Sequence, residues 1–204
     1  MENCCAIFSA SEIFDYSNIS CKNSFIIVAD GGIRHTDRLG ITPDIVIGDM
    51  DSVDKALIPE GAILFPTQKD DTDTLLAIKK GLELGYKDFT IYGGLGGRLD
   101  HTVSNIQSLA FLIENGAKGI LKDEKHTVLM IKNEEIKITD NYDYISVFAY
   151  GTDAYGVTLK GVSYPLDNYA LKTSFPLGVS NQKNGEVATI KVENGTLLII
   201  LINE

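Results

Sequence analysis

The sequence predicts an α/β fold class, with a layered parallel-sheet domain followed by a smaller all-β domain. Three observations carry this reading. Short apolar runs alternate with helical patterns up to about residue 123, helical periodicity disappears beyond it, and 204 residues suit one large domain or two small ones.

The elements follow in order. Ala6–Phe8, Phe25–Ala29, Asp44–Gly48, Ala62–Phe65, Phe89–Tyr92 and Gly119–Leu121 read as buried strands, several of them β-branched and flanked by Gly, Asp or Pro. Thr74–Leu84 carries Leu75, Ile78 and Leu82 at helical spacing. Thr102–Asn115 does the same with Val103, Ile106, Ala110 and Ile113, and Gly116 sits where a C-cap belongs. Strands alternating with helices indicate parallel pairing in a Rossmann-like layered sheet, expected over residues 1–123. After Lys122-Asp123-Glu124-Lys125 come His126–Ile131, Glu135–Thr139, Tyr144–Tyr150, Gly156–Lys160, Val187–Val192 and Thr196–Ile202. All read as strands, with Asn194-Gly195 as a turn signal. They predict an all-β domain over 124–204, large enough at about 80 residues to fold without staples.

Composition narrows the function classes. Hydrophobic residues at 44% and charged residues at 23% rule out disordered, collagen-like and coiled-coil chains. No stretch approaches the ~18 consecutive apolar residues of a membrane span. MENCCAIFSASEIFD has no basic stretch ahead of its apolar residues, so no signal peptide is expected. Lys+Arg 18 against Asp+Glu 28 gives a net charge of −10, which repels a phosphate backbone and makes nucleic acid an unfavourable partner. A bound nucleotide triphosphate would need a divalent cation with it. Cys4, Cys5 and Cys21 are odd in number and lack CxxC spacing, which fits a reducing, cytoplasmic setting.

Four clusters lie just after predicted strands of the α/β part. They are Ala29-Asp30-Gly31-Gly32, Gly48-Asp49-Met50-Asp51-Ser52, Thr67-Gln68-Lys69-Asp70-Asp71-Thr72-Asp73, and the run Gly93 to His101 that opens the second helix. The carboxyl ends of strands are where ligands bind open α/β sheets. Asp49, Asp51, Asp73 and Asp100 offer hard oxygen ligands suited to Mg²⁺. Gly93 to Gly97 allow backbone N–H groups to approach a phosphate, with a helix N-terminus behind them. Lys69 and Arg98 can neutralise a transferring group. Taken singly, each has an ordinary explanation: a solvated turn, Asp70 or Asp71 capping a helix, a glycine turn, or a local hydrogen bond from His101. His35 and His126 lack metal-ligand spacing and read as structural or surface residues. There is no GxGxxG and no GxxxxGK[ST]. The coincidence of four such loops argues for a cation that offsets the repulsion between like charges. In the β part, Gly161 to Leu166 and Pro176 to Gln182 read as a strand, a Pro-directed turn and a second loop, with Ser180 and Asn181 as turn residues.

ADGG, GDMDS, KDDTD, GGLGGRLDH, and GVSYPL with GVSNQ stand in an order that resembles the thiamine pyrophosphokinase family, from residue 29 to residue 182. The resemblance implies an α/β domain followed by a β-sandwich, and a homodimer whose active site lies at the subunit interface. It implies pyrophosphoryl transfer from ATP to the hydroxyethyl arm of thiamine, with Mg²⁺ required and AMP released. By that resemblance Asp49, Asp51, Asp73 and Asp100 are the metal and catalytic carboxylates. Gln68, Lys69, Thr72 and Arg98 are nucleotide contacts, and Ser180 and Asn181 lie at the thiamine site. Gln182 stands where Glu is common, Ile33-Arg34 where Ala-Asn is frequent, and Met50 where an aromatic is frequent. With no Trp in the chain, any ring stacked on thiamine must be Tyr, Phe or neither. Two other readings remain: an Mg²⁺-dependent sugar-nucleotide transferase, since DxD recurs there, and a binding protein with decayed catalysis. The first would transfer a sugar without forming AMP; the second would lack carboxylates that this chain keeps.

Overall fold

The computed structural model describes residues 4–48, the backbone of 63–64, and 71–204. The chain divides into two compact units, Met1–Glu124 and Lys125–Glu204.

The first unit contains β1 (Cys4–Phe8), β2 (Phe25–Ala29), α1 (Ile33–Leu39), β3 (Ile45–Gly48), β4 (Ile63–Leu64), α2 (Asp73–Glu83), β5 (Asp88–Tyr92), α3 (Leu99–Glu114) and β6 (Lys118–Lys122). Its strands lie in the order β4-β3-β2-β1-β5-β6, and each neighbouring pair is parallel. Cys5, Ala6, Ile7 and Phe8 are all buried, so β1 is covered on both faces, as a central parallel strand must be. On one face Ala6 and Phe8 meet Ile26, Val28, Ile33 and Val46. Phe8 also stacks on Tyr92, with ring centroids 5.3 Å apart.

Two helical expectations are corrected. The short helix α1 is absent from the sequence reading. It follows a 3-10 turn at Asp30–Gly32 and ends at Gly40, whose φ of 64° closes it. Helix α3 begins at Leu99 rather than Thr102. Arg98 is its N-cap and makes no side-chain cap bond, so no capping signal marks the start. Its buried line is Asn105, Ser108, Leu109 and Leu112, while Val103 is exposed. At its other end, Gly116 N–H bonds to Ile113 O and Ala117 N–H to Leu112 O, closing the helix as expected.

The second unit contains β7 (His126–Lys132), β8 (Glu135–Ile138), β9 (Tyr144–Lys160), β10 (Leu166–Leu171), β11 (Gly178–Asn181), β12 (Ala188–Lys191) and β13 (Asn194–Ile202). All pairings within it are antiparallel. The two strands expected at 144–150 and 156–160 are one 17-residue strand, β9. It turns at Gly151 and Gly156, both at positive φ, and serves two sheets: its first half pairs β13 and β11, its second half β12 and β10. Ile145 and Val147 from the first half pack with Ala154, Val157 and Leu159 from the second, and with Leu197, Ile199 and Ile190, in one core. The segment read as a loop at 176–182 contains strand β11, and strand β10 follows the Pro-directed turn, where no strand was assigned.

Candidate functional site

The strand order reverses between β1 and β5. That reversal opens a crevice at the carboxyl ends of parallel strands, where loops leave in opposite directions. A cleft of about 450 Å³ lies there. Ser9 to Glu12 line it after β1, Ala29 and Asp30 after β2, Gly93, Gly97 and Arg98 after β5, and Thr72 to Thr74 at the start of α2. His101 and Asn105 complete the wall from α3.

The glycine loop after β5 is built by backbone geometry. Gly93, Gly96 and Gly97 have φ of 63°, 78° and 65°, in the left-handed region that side chains disfavour. A Cβ on Gly93 would stand 2.4 Å from the Ser9 carbonyl oxygen, so no larger residue fits there. Buried Asn105 donates its Nδ2 to Gly94 O at 2.8 Å, and Thr102 donates its hydroxyl to Gly96 O at 3.1 Å. Both tie the loop to the first turns of α3, whose N-terminus faces an anion favourably.

Arg98 grips Asp100 in a two-point bond, Nε to Oδ1 at 3.1 Å and Nη2 to Oδ2 at 2.6 Å. That bond, above all, holds the Asp100 carboxyl below its ordinary range; the Asp100 carboxylate in turn raises the Arg98 guanidinium. Both side chains are exposed, so the pair is open to exchange partners.

At α2, Thr72 is the N-cap. Its hydroxyl accepts from Leu75 N–H at 3.2 Å, so Thr72 does the capping that Asp70 or Asp71 was a candidate for. Asp71 instead pairs with Lys79 at 2.7 Å. Asp73 is the first helical residue and lines the cleft. Thr74 is buried and shares a 2.9 Å hydrogen bond with Ser9, joining α2 to the loop after β1.

In the second unit, a cavity of about 290 Å³ is lined by Leu159, Tyr164 to Leu166, Leu177 to Val179, and Asn181. Asn181 is 3% exposed and both ends of its amide are engaged. Nδ2 donates to Tyr164 O at 2.7 Å, while Oδ1 accepts from Tyr164 N–H and Gln182 N–H, each at 2.9 Å. Ser180 is exposed, with φ 57° at an irregularity in β11, and its N–H donates to Ser146 Oγ at 3.0 Å. The turn chemistry foreseen at Ser180 is present, but as a kink within a strand.

The structure brings Thr72, Asp73 and Arg98 to one cleft, with Asp100 bonded to Arg98 at its edge. Asn181 lines a separate cavity beside Ser180. Asp49, Asp51, Gln68 and Lys69 lie outside the described residues. Sequence reasoning missed Ser9, Ser11, Glu12, Thr74 and Asn105 in the cleft wall. The one available signal was Asn105, a polar residue amid an apolar helical pattern.

Residues 16–121 match the family model for the thiamin pyrophosphokinase catalytic domain, and residues 125–197 match that for the thiamin pyrophosphokinase vitamin B1 binding domain. The thiamine pyrophosphokinase of Bacillus subtilis is 31% identical over 194 residues, covering 91% of each chain. Thiamin pyrophosphokinase 1 of Caenorhabditis elegans is 23% identical, covering 90% of this chain and 81% of that one. A crystal structure of thiamine pyrophosphokinase from Bacillus subtilis superposes with a TM-score of 0.90 at 27% identity, covering 98% and 99% of the two chains. The Candida albicans structure gives a TM-score of 0.81 at 15% identity, over 98% and 89%, a likeness of fold alone.

Proposed function

The chain belongs to the thiamine pyrophosphokinase family, and from that membership we propose that it transfers the pyrophosphoryl group of ATP to the hydroxyl of thiamine. The observation that supports this most is the convergence, at the strand reversal, of a glycine loop, the N-termini of α2 and α3, Asp73 and Arg98. Amide donors, a guanidinium and carboxylates in one cleft are what phosphoryl-type transfer requires.

The carboxylate set Asp49, Asp51, Asp73 and Asp100 fits Mg²⁺ in chemistry, being hard oxygen donors with no thiol among them. Among the described residues no three metal-capable side chains cluster, so Asp49 and Asp51 would have to complete the site with Asp73 and Asp100. When bound, the cation supplies charge neutralisation on the phosphate oxygens. Asp100, whose oxygens now each accept one bond from Arg98, would share or exchange that partner on joining the cation, and an exchange would free the guanidinium for the phosphates. Thr72, Gln68 and Lys69 are proposed to hold the nucleotide beside the glycine-loop amides.

The thiamine oxygen forms a bond to the β-phosphorus as the bond from that phosphorus to the α-bridging oxygen breaks, and AMP leaves with that oxygen. Asp73 or Asp100 receives the hydroxyl proton. The second-unit cavity is proposed to take thiamine, with the exposed Tyr164 ring as a face for its thiazolium cation, a contact worth roughly 0.5–2 kcal/mol. Ser180 and Asn181 belong to that site, Asn181 by shaping the Tyr164 turn. The same reading carries a Rossmann-like catalytic domain, a β-sandwich thiamine domain, and a cytoplasmic homodimer with its active site at the subunit interface. No helix among the described residues is long and apolar enough to cross a membrane.

Product analysis tests the reading. The protein is mixed with thiamine, ATP and Mg²⁺, with EDTA in a parallel tube. Thiamine diphosphate and AMP should appear together and vanish with EDTA. ADP with thiamine monophosphate would refute attack at the β-phosphorus.

A further inference from the structure

We propose that His35, on α1, is a positioning residue that holds the glycine loop in place through the main chain of Ser11. The inference rests on the pyrophosphokinase reading only for its effect on ATP; its structural core does not.

His35 is 1% exposed and both ring nitrogens are engaged. Nε2 lies 2.8 Å from the Ser11 carbonyl oxygen, and Nδ1 lies 2.7 Å from the Tyr16 hydroxyl. A carbonyl can only accept, so Nε2 carries the proton and Nδ1 accepts from Tyr16. The Tyr16 oxygen in turn accepts from Arg38 Nη1 at 3.3 Å, and the same nitrogen donates to Glu12 Oε1 at 3.2 Å. Glu12 follows Ser11 directly, so the chain of bonds closes on the loop where it began. Arg34 adds a bond from Nη2 to Ala10 O at 3.1 Å. Residues 10 to 12 are thus bound to α1 by side chains of three of its residues.

The other side of that loop carries the glycine loop. Ser11 N–H donates to Gly93 O at 2.9 Å, Ser9 N–H donates to Tyr92 O at 2.8 Å, and the Ser11 hydroxyl reaches Gly96 O at 3.3 Å. Ser11 therefore stands between two clamps, with His35 behind it and Gly93 and Gly96 ahead. Displacing the Ser11 carbonyl moves the amides of residues 93–97 and Arg98 after them. The charged and titratable groups facing His35 are Tyr16, Glu12, Arg34 and Arg38, of which Glu12 itself lines the cleft.

The test compares wild type with His35→Leu, His35→Gln and Tyr16→Phe. Each is measured by hydrogen–deuterium exchange of peptides covering 9–16 and 93–98, and by steady-state kinetics with ATP and with thiamine. His35→Leu removes the donor while keeping apolar volume. It should speed exchange at 93–98 about tenfold and raise KM for ATP about tenfold, with KM for thiamine within about twofold. His35→Gln, whose amide can donate to Ser11 O, should restore most of both effects. Unchanged exchange at 93–98 in His35→Leu, or a glutamine no better than leucine, would overturn the proposal. If His35→Leu does not fold, Tyr16→Phe decides, since it keeps the ring and removes the hydroxyl that His35 Nδ1 and Arg38 share; no acceleration at 93–98 overturns the proposal. A wild-type protein that forms no thiamine diphosphate and AMP would refute the function, while the exchange comparison still decides the role of His35.

Discussion

Replacing Asn181 with Ala removes three hydrogen bonds at once and leaves the Tyr164 N–H and C=O without their partner. At about 1 kcal/mol each the loss is about 3 kcal/mol, and the buried setting keeps water from substituting freely. For a chain of this size that lowers Tm by roughly 10 °C. Asn181→Asp keeps the shape but sets a carboxylate oxygen where Nδ2 now lies 2.7 Å from a carbonyl oxygen. At neutral pH it should destabilise at least as much as alanine, because a buried charge then faces a lone pair. The native aspartate would titrate above its ordinary value of about 3.9, so stability should recover as pH falls and the protonated acid donates to Tyr164 O. Differential scanning calorimetry between pH 4 and 8 reads both effects, and thiamine KM measured alongside reads the cavity. If Asn181→Ala left Tm within about 2 °C of wild type but raised thiamine KM strongly, the amide would be a direct substrate contact and the argument from its hydrogen bonds would fail.

Four further outcomes are expected. A Cβ on Gly32 would stand 2.0 Å from the Phe8 carbonyl oxygen, so Gly32→Ala should cost about 3 kcal/mol or more in chemical denaturation; a wild-type midpoint would contradict the close packing of this turn on β1. Asp100→Asn, at an exposed position, should leave Tm unchanged and lower kcat about 100-fold or more, and near-normal turnover would remove Asp100 from the proposed carboxylate set. His35 titrates below its ordinary value of 6.5, chiefly because burial disfavours the charged ring. On acidification the unfolded chain therefore takes up this proton first, so the contribution is full above about pH 6.5 and declines as pH falls from there toward the folded value. The Tm difference between wild type and His35→Leu should shrink between pH 7.5 and 5.5, and a constant difference would count against a neutral native His35. Burial, with Cys4 and Asp44 adding to it, pushes the Cys5 thiol up to about 12; a disulfide reagent at pH 8 should label Cys4 and Cys21 in the native protein and Cys5 only after unfolding.

The fold was legible where burial imposes a period. Short runs rich in apolar and β-branched residues, such as Phe25–Ala29 and Phe89–Tyr92, read as strands buried on both faces, and the motifs at their carboxyl ends marked the cleft. What escaped lacks that signal. Strand β10 is exposed along four of its six residues, so nothing in Leu166–Leu171 alternates between core and solvent. Helix α1 is seven residues long and packs by Ile33, His35 and Thr36, only one of them apolar. In α3 the buried line includes Asn105 and Ser108, which serve the glycine loop and the helix rather than a greasy core, so the apparent apolar stripe pointed elsewhere. Ser11 through its carbonyl and Glu12 through its carboxylate each act with a partner 24 residues away or more, a relation that no local spacing contains.

Strand β9 has a consequence for how the second unit can fail. Most two-sheet domains are stitched by loops, which can stretch while each sheet keeps its own ladder. Here one strand is a member of both ladders, and it bends at Gly151 and Gly156, where its pairing with β13 shifts register. A force that parts the sheets must unzip β9 from β13 or from β12, so neither sheet can peel away as a spectator. Chain insertions should accordingly be borne in the exposed segment 172–177 far better than at the corner, where one added residue would throw half of each sheet out of register.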